Sequence, residues 1–89
     1  MKPKIGDLVI EGRDYGVVKH LGSDGFWCFW KKTEEAAIRK FNKFKETPHD
    51  EISDDLVEYD DYMRLDYVDE YTFVRNILKI DNWKKHLEG

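Results

Sequence analysis

Between Ile5 and Trp30 the chain is a series of short apolar runs fenced by glycine, and that punctuation restricts the fold more than any other feature. "GDLVIEG", "YGVVKHLG" and "GFWCFW" each read as a strand. The connections "EGRDYG" and "GSDG" are turn chemistry, and Asp24-Gly25 is a strong hairpin signal. Gly16, inside a strand pattern, marks a bulge or a close backbone approach. A compact antiparallel meander follows.

The period changes at Thr33. This residue is a good N-cap, and Glu34 and Glu35 place acids in the first turn. Ala37, Phe41 and Phe44 fall at i, i+4 and i+7, with Ile38 beside them and Arg39, Lys40 and Lys43 largely off that stripe. The spacing predicts an amphipathic helix from Glu34 to about Lys45, broken by Pro48. Ser53 reads as a second N-cap. Ile52, Leu56, Tyr59 and Met63 repeat at 4, 3 and 4, which predicts a helix to about Arg64. From Leu65 the pattern alternates through Val74, as a strand does. "NILKIDNW" reads as a turn and a last strand before a frayed tail. The chain is thus one domain, residues 1–89, with 5–32 and 66–81 mainly β and 33–65 helical, acidic from residue 50.

At 89 residues the chain buries a modest fraction of its surface, so the core must be aromatic-rich or shared with a partner. Three Trp and five Phe can supply much of it. Cys28 is the single cysteine, so no internal disulfide forms, and its apolar setting "FWCFW" reads as a buried thiol. "MKPKIGDLV" lacks the apolar segment of a secretory signal, and no run approaches membrane-spanning length. A cytoplasmic, reducing setting is the expectation.

The turns and strands of "KIGDLVIEGRDYGVVKHLGSDGFWCFW" resemble the opening of small five-stranded barrels of the SH3-like, Tudor and KOW kind. "EYTFVRNILKI" resembles their ending: strand four, one helical turn at Arg75 to Ile77, then strand five. The likeness covers about half the chain, in two pieces. It implies an α+β fold, a small bent antiparallel sheet or SH3-like barrel with a two-helix insertion between strands three and four. It also implies a class of protein that binds peptides, modified side chains or nucleic acid.

Little in the chain supports catalysis. His20, His49 and His86 are scattered, with no triad order and no H-E-x-x-H helix. "HDE" at His49 to Glu51 reads as solvated loop, and no phosphate-binding glycine loop is present. The expectation is a protein that is not an enzyme, with no metal site and no cofactor. One binding alternative is a Tudor- or KOW-like reader of nucleic acid or peptide, using Trp27 and Trp30 with Arg39, Lys40 and Lys43 of the basic helix. Another is capture of a small nucleotide-like ligand by the same aromatics. In "GFWCFW" the strand period sends Phe26, Cys28 and Trp30 to one face and Trp27 and Phe29 to the other. One set lines the core, and cover of the other by Ala37, Phe41 and Phe44 is the expected outcome.

The acidic block is the best functional clue. From His49 to Phe73 there are ten acids and one arginine, a charge of -9 within a chain of net -4. Such crowding repels itself and destabilises a compact state. It suits a surface that occupies a basic, nucleic-acid-binding site on another protein, where clustered carboxylates imitate a phosphate field. Expected contacts are Asp54, Asp55, Glu58, Asp60, Asp61, Asp66, Asp69 and Glu70. Tyr67 and Tyr71 lie among them, whereas Tyr59 and Tyr62 border the apolar stripe and are either core or anchors. In size and charge the chain resembles DNA-mimic and anti-defence proteins of phages and nuclease-immunity proteins. The expected function is therefore stoichiometric inhibition of a basic protein, with no membrane association. Direct nucleic-acid binding is disfavoured by the charge.

Overall fold

The computed structural model describes residues 2–54 and 61–78, and of Asp54 the backbone only. Five strands and two helices form in the order β1 (Asp7–Glu11), β2 (Asp14–Leu21), β3 (Gly25–Phe29), α1 (Glu34–Phe44), α2 (His49–Asp54), β4 (Tyr62–Asp66) and β5 (Thr72–Asn76). The strands make one antiparallel open sheet in the order β4-β3-β2-β1-β5, with both helices inserted between β3 and β4. The expected fold class, α+β with a bent antiparallel sheet and a two-helix insertion, is what the structure has.

Local chemistry explains the first three strands. Glu11 pairs with Asp14 across a two-residue turn, and Gly12 supplies its positive φ of 60°. The Gly22–Gly25 turn closes the second hairpin through Gly22 N donating to Gly25 O at 2.8 Å. Gly16 is a point of close approach: a Cβ there would lie 2.7 Å from the Cβ of Cys28 and 2.9 Å from the Trp30 ring. The buried Asp7 fastens the sheet's start. Its carboxylate accepts from Lys4 N at 2.8 Å and from Asn76 Nδ2 at 2.8 Å, tying β1 to the end of β5.

Strand alternation gives the sheet two apolar faces, and each is covered. Val9, Val18, Phe26 and Cys28 are buried on one face, with Trp30, Leu65, Tyr67 and Tyr71 packed around them. On the other, Leu8 and Val17 pack under Ala37 and Phe41 of α1. Thr33 caps α1 as its sequence position predicts, accepting from Ala36 N at 3.1 Å. Phe29, Ile52 and Tyr62 form a third cluster, flanked by Trp27 and Phe44. Each fully buried Phe or Leu contributes about 1.5–3 kcal/mol, so these three clusters hold most of the fold's stability.

The segment after α1 departs from the sequence reading. The second helix begins at His49, right after Pro48, and Ser53 lies in its last turn, where its hydroxyl is directed at Asp50 O. Proline is at home at the start of a helix because its missing N–H leaves no bond unmade, so Pro48, which stands as the expected break after α1, also opens α2. Glu51 N and Ile52 N both turn back to Pro48 O. Residues 62–65, expected to be helical, start β4. The 4-3-4 spacing lost there to pairing with β3, which sets Tyr62 opposite Phe29 and Leu65 opposite Phe26. Alternation from Leu65 to Val74 is interrupted by a turn at Tyr67–Asp69, so Thr72–Asn76 is the fifth strand and not the fourth. Ile77 and Leu78 follow as helical residues, and the expected last strand lies outside the described residues.

Candidate protein-binding surface

The fold divides the expected acidic surface in two. Asp55, Glu58, Tyr59 and Asp60 lie outside the described residues, as does the side chain of Asp54. Asp61 faces inward. Its Oδ2 is 2.6 Å from Lys31 Nζ and 3.9 Å from Lys40 Nζ, and its side chain is 16 % exposed. The chain neutralises this carboxylate with its own cations, and Asp61 O also accepts from Trp30 N at 2.9 Å. Tyr62 is core, 1 % exposed, with its ring 4.6 Å from Phe29 and 5.3 Å from Trp27. Burial pushes its hydroxyl pKa well up, with the nearby Cys28 adding to the shift. Asp61 and Tyr62 are therefore parts of the architecture and present nothing to a partner.

The other acids stand at one end of the sheet. Between β4 and β5 the chain makes a tight turn, with Asp69 N donating to Asp66 O at 3.0 Å and Asp69 Oδ2 accepting from Asp66 N at 3.2 Å. The β2–β3 hairpin tip lies beside it. Tyr67 N donates to Asp24 O at 3.1 Å, and the Tyr67 hydroxyl donates to Gly22 O at 2.7 Å. Two separate turns are thus locked into one tip carrying Asp24, Asp66, Asp69 and Glu70. Val68 projects from its centre at 91 % exposure, and Leu21 is exposed on the hairpin beside it. Among the described residues, Arg64 pairs with Asp66, and the Lys2 ammonium lies 5.5 Å from the Tyr67 ring centre. Tyr71 packs edge-on to Phe26 at 5.2 Å, and its hydroxyl pKa is raised by burial, then by Asp7 and Tyr67.

The residues of the aromatic alternative do not converge. Trp27 stacks on Tyr62 and lies 5.0 Å from His49. Trp30 Nε1 donates to Met63 O at 3.0 Å on the opposite face. Lys40 leans over the rings of Phe29 and Phe44 on its way to Asp61, Lys43 sits 5.3 Å from the Phe44 ring, and Arg39 is exposed. The two faces of β3 divide as the alternation requires. Cover for Trp27 and Phe29, however, comes from Phe44, Ile52 and Tyr62, whereas Ala37 and Phe41 pack on Leu8 and Val17.

Two features were not legible in the sequence. His20 and His49, far apart in the chain, stack with ring centres 3.8 Å apart and planes 2° from parallel, and His49 Nδ1 lies 2.9 Å from the Tyr62 hydroxyl. The expected solvated loop at His49 is instead a helix start docked on β2. The Lys31–Asp61–Lys40 cluster joins residues that read as a basic helix face and an acidic strip. Only the place of Asp61, one residue before β4 and next to the Tyr62 that pairs with Phe29, could have revealed it. Among the described residues no group of three or more metal-ligating side chains forms, and no helix is long and apolar enough to cross a membrane. Compared with models of known protein families, with curated proteins and with solved structures, the chain matches none.

Proposed function

We propose that the chain is a small non-catalytic binding protein that acts in the cytoplasm as a stoichiometric inhibitor. Its acidic tip occupies a basic, nucleic-acid-binding site on a target protein. The observation that carries this reading is the joining of two turns through Tyr67, which sets Asp24, Asp66, Asp69 and Glu70 around an exposed Val68. Hydrogen bonds hold the two turns that carry these acids before any partner arrives, so docking orders little backbone. A negative field speeds encounter with a cationic surface, and an apolar residue at its centre slows release. Likeness to DNA-mimic and anti-defence proteins of phages, or to nuclease-immunity proteins, rests on size and charge. The meander whose last strand returns to β1 supports the finer likeness to SH3-like, Tudor and KOW barrels.

Affinity capture from a native lysate tests the proposal, with Asp24→Asn, Asp69→Asn and Glu70→Gln combined as the control bait. A basic partner retained by the wild type, displaced by duplex DNA and lost with the triple variant is the expected result. Retention of every partner by the triple variant refutes it, and tight direct binding of DNA by the chain itself favours the reader instead.

A further inference from the structure

On the helix-covered face, away from the acidic tip, a cleft of about 250 Å³ opens between the segment leading into β1, β2 and the end of α1. Ile5, Phe41 and Leu78 supply apolar walls, Lys19 and Lys45 supply cations, and Glu46 stands with them. We propose that this cleft binds a small organic carboxylate with an aryl or short alkyl body. Its volume lies just under the roughly 300–1,000 Å³ of drug-sized sites, so the occupant is small. Ile5 is a large apolar side chain left 40 % exposed there, and an apolar body would remove it from water. Neither lysine forms an ion pair among the described residues, although five such pairs occur elsewhere. Lys19 is half-buried. Burial lowers its pKa, and the negative charge of Glu46 acts in the opposite sense. A half-buried lysine lining a cleft with apolar walls gains from an anion that excludes water more fully than the exposed Glu46 does. The ligand carboxylate would displace the Glu46 influence and take over both ammonium groups, while its body lies on Phe41 and Leu78. Nucleotide-sized molecules exceed the cleft, which separates this site from the ligand alternative raised by Trp27 and Trp30.

A nuclear magnetic resonance titration with three probes reads the site directly: 3-phenylpropanoate, its neutral amide and acetate. Saturable shifts at Ile5, Lys19, Phe41 and Leu78 with 3-phenylpropanoate alone are expected, because head and body are both required. Lys19→Met should weaken that binding at least tenfold, and Glu46→Gln should tighten it two- to threefold. Lys45→Met, on an exposed side chain, provides the same weakening test if Lys19→Met does not fold. Equal binding of acid and amide, shifts centred elsewhere, or unchanged affinity in the lysine variants would overturn the assignment.

Discussion

Replacing Asp61 with Asn removes the charge that holds Lys31 and Lys40, and it distinguishes the acids that build this protein from those that serve it. At an effective dielectric of about 20, unit charges at the observed 2.6 and 3.9 Å attract by roughly 6 and 4 kcal/mol before desolvation is counted. Desolvation cancels most of this, and deleting one partner of a fully buried pair costs about 3–5 kcal/mol. Lys31 and Lys40 keep 33 % and 24 % exposure, so water recovers part of the loss and about 2 kcal/mol remains. For a domain of this length that lowers Tm by about 8–16 °C. Urea and thermal unfolding followed by circular dichroism measure it, with Asp66→Asn as the control. The Arg64–Asp66 pair is exposed on both sides, so its loss costs at most about 1 kcal/mol. An Asp61→Asn cost below about 0.5 kcal/mol, or one equal to the control, would refute the view that Asp61 is a structural acid.

Other consequences follow from burial and close contact. Gly16→Ala places a methyl group 2.7 Å from the Cys28 Cβ and should cost about 1–3 kcal/mol in urea unfolding, with Gly12→Ala as a comparison that meets no neighbour and tests only backbone strain. Stability should fall at alkaline pH. Burial, with Asp7 adding to it, raises the Cys28 pKa above its ordinary value near 9, so the folded state keeps a proton that the unfolded state loses. Its contribution is fully present below that pH and is lost above it, at about 1.4 kcal/mol per pH unit, until the folded-state pKa is reached. Tyr62 and Tyr71 shift in the same direction and steepen the fall beyond pH 10, and a stability flat from pH 8 to 11 would contradict this. The same burial predicts that iodoacetamide modifies Cys28 only as fast as the chain unfolds, which mass spectrometry in native buffer and in urea would show.

Much of the fold was legible because its signals are local. Glycine-bounded strands, the β2–β3 hairpin and the Thr33 cap need only neighbouring residues, and each is present, although the hairpin turns on Ser23 and Asp24 and Gly25 already begins β3. The β4 strand was not legible for the opposite reason. Tyr62 to Asp66 owe their conformation to pairing with β3, far back in the chain, and a helical spacing of apolar residues runs through the same stretch. The candidate surface was legible as charge and not as arrangement. Asp66, Asp69 and Glu70 were within the acidic strip, yet Asp24 joins them only through the Tyr67 contacts, and Val68 becomes their centre only because a turn forms there. Asp61 left the set because its place just before β4, where its carbonyl accepts from Trp30 N, sets its carboxylate against Lys31.

The kinetics of binding to the captured partner, measured by surface plasmon resonance across a salt series, test the central claim most directly. The account predicts fast association that slows steeply with salt, slower association for the Asp24, Asp69 and Glu70 triple variant, and faster dissociation for Val68→Ser. Wild-type association and dissociation rates in both variants, at every salt concentration, would contradict it.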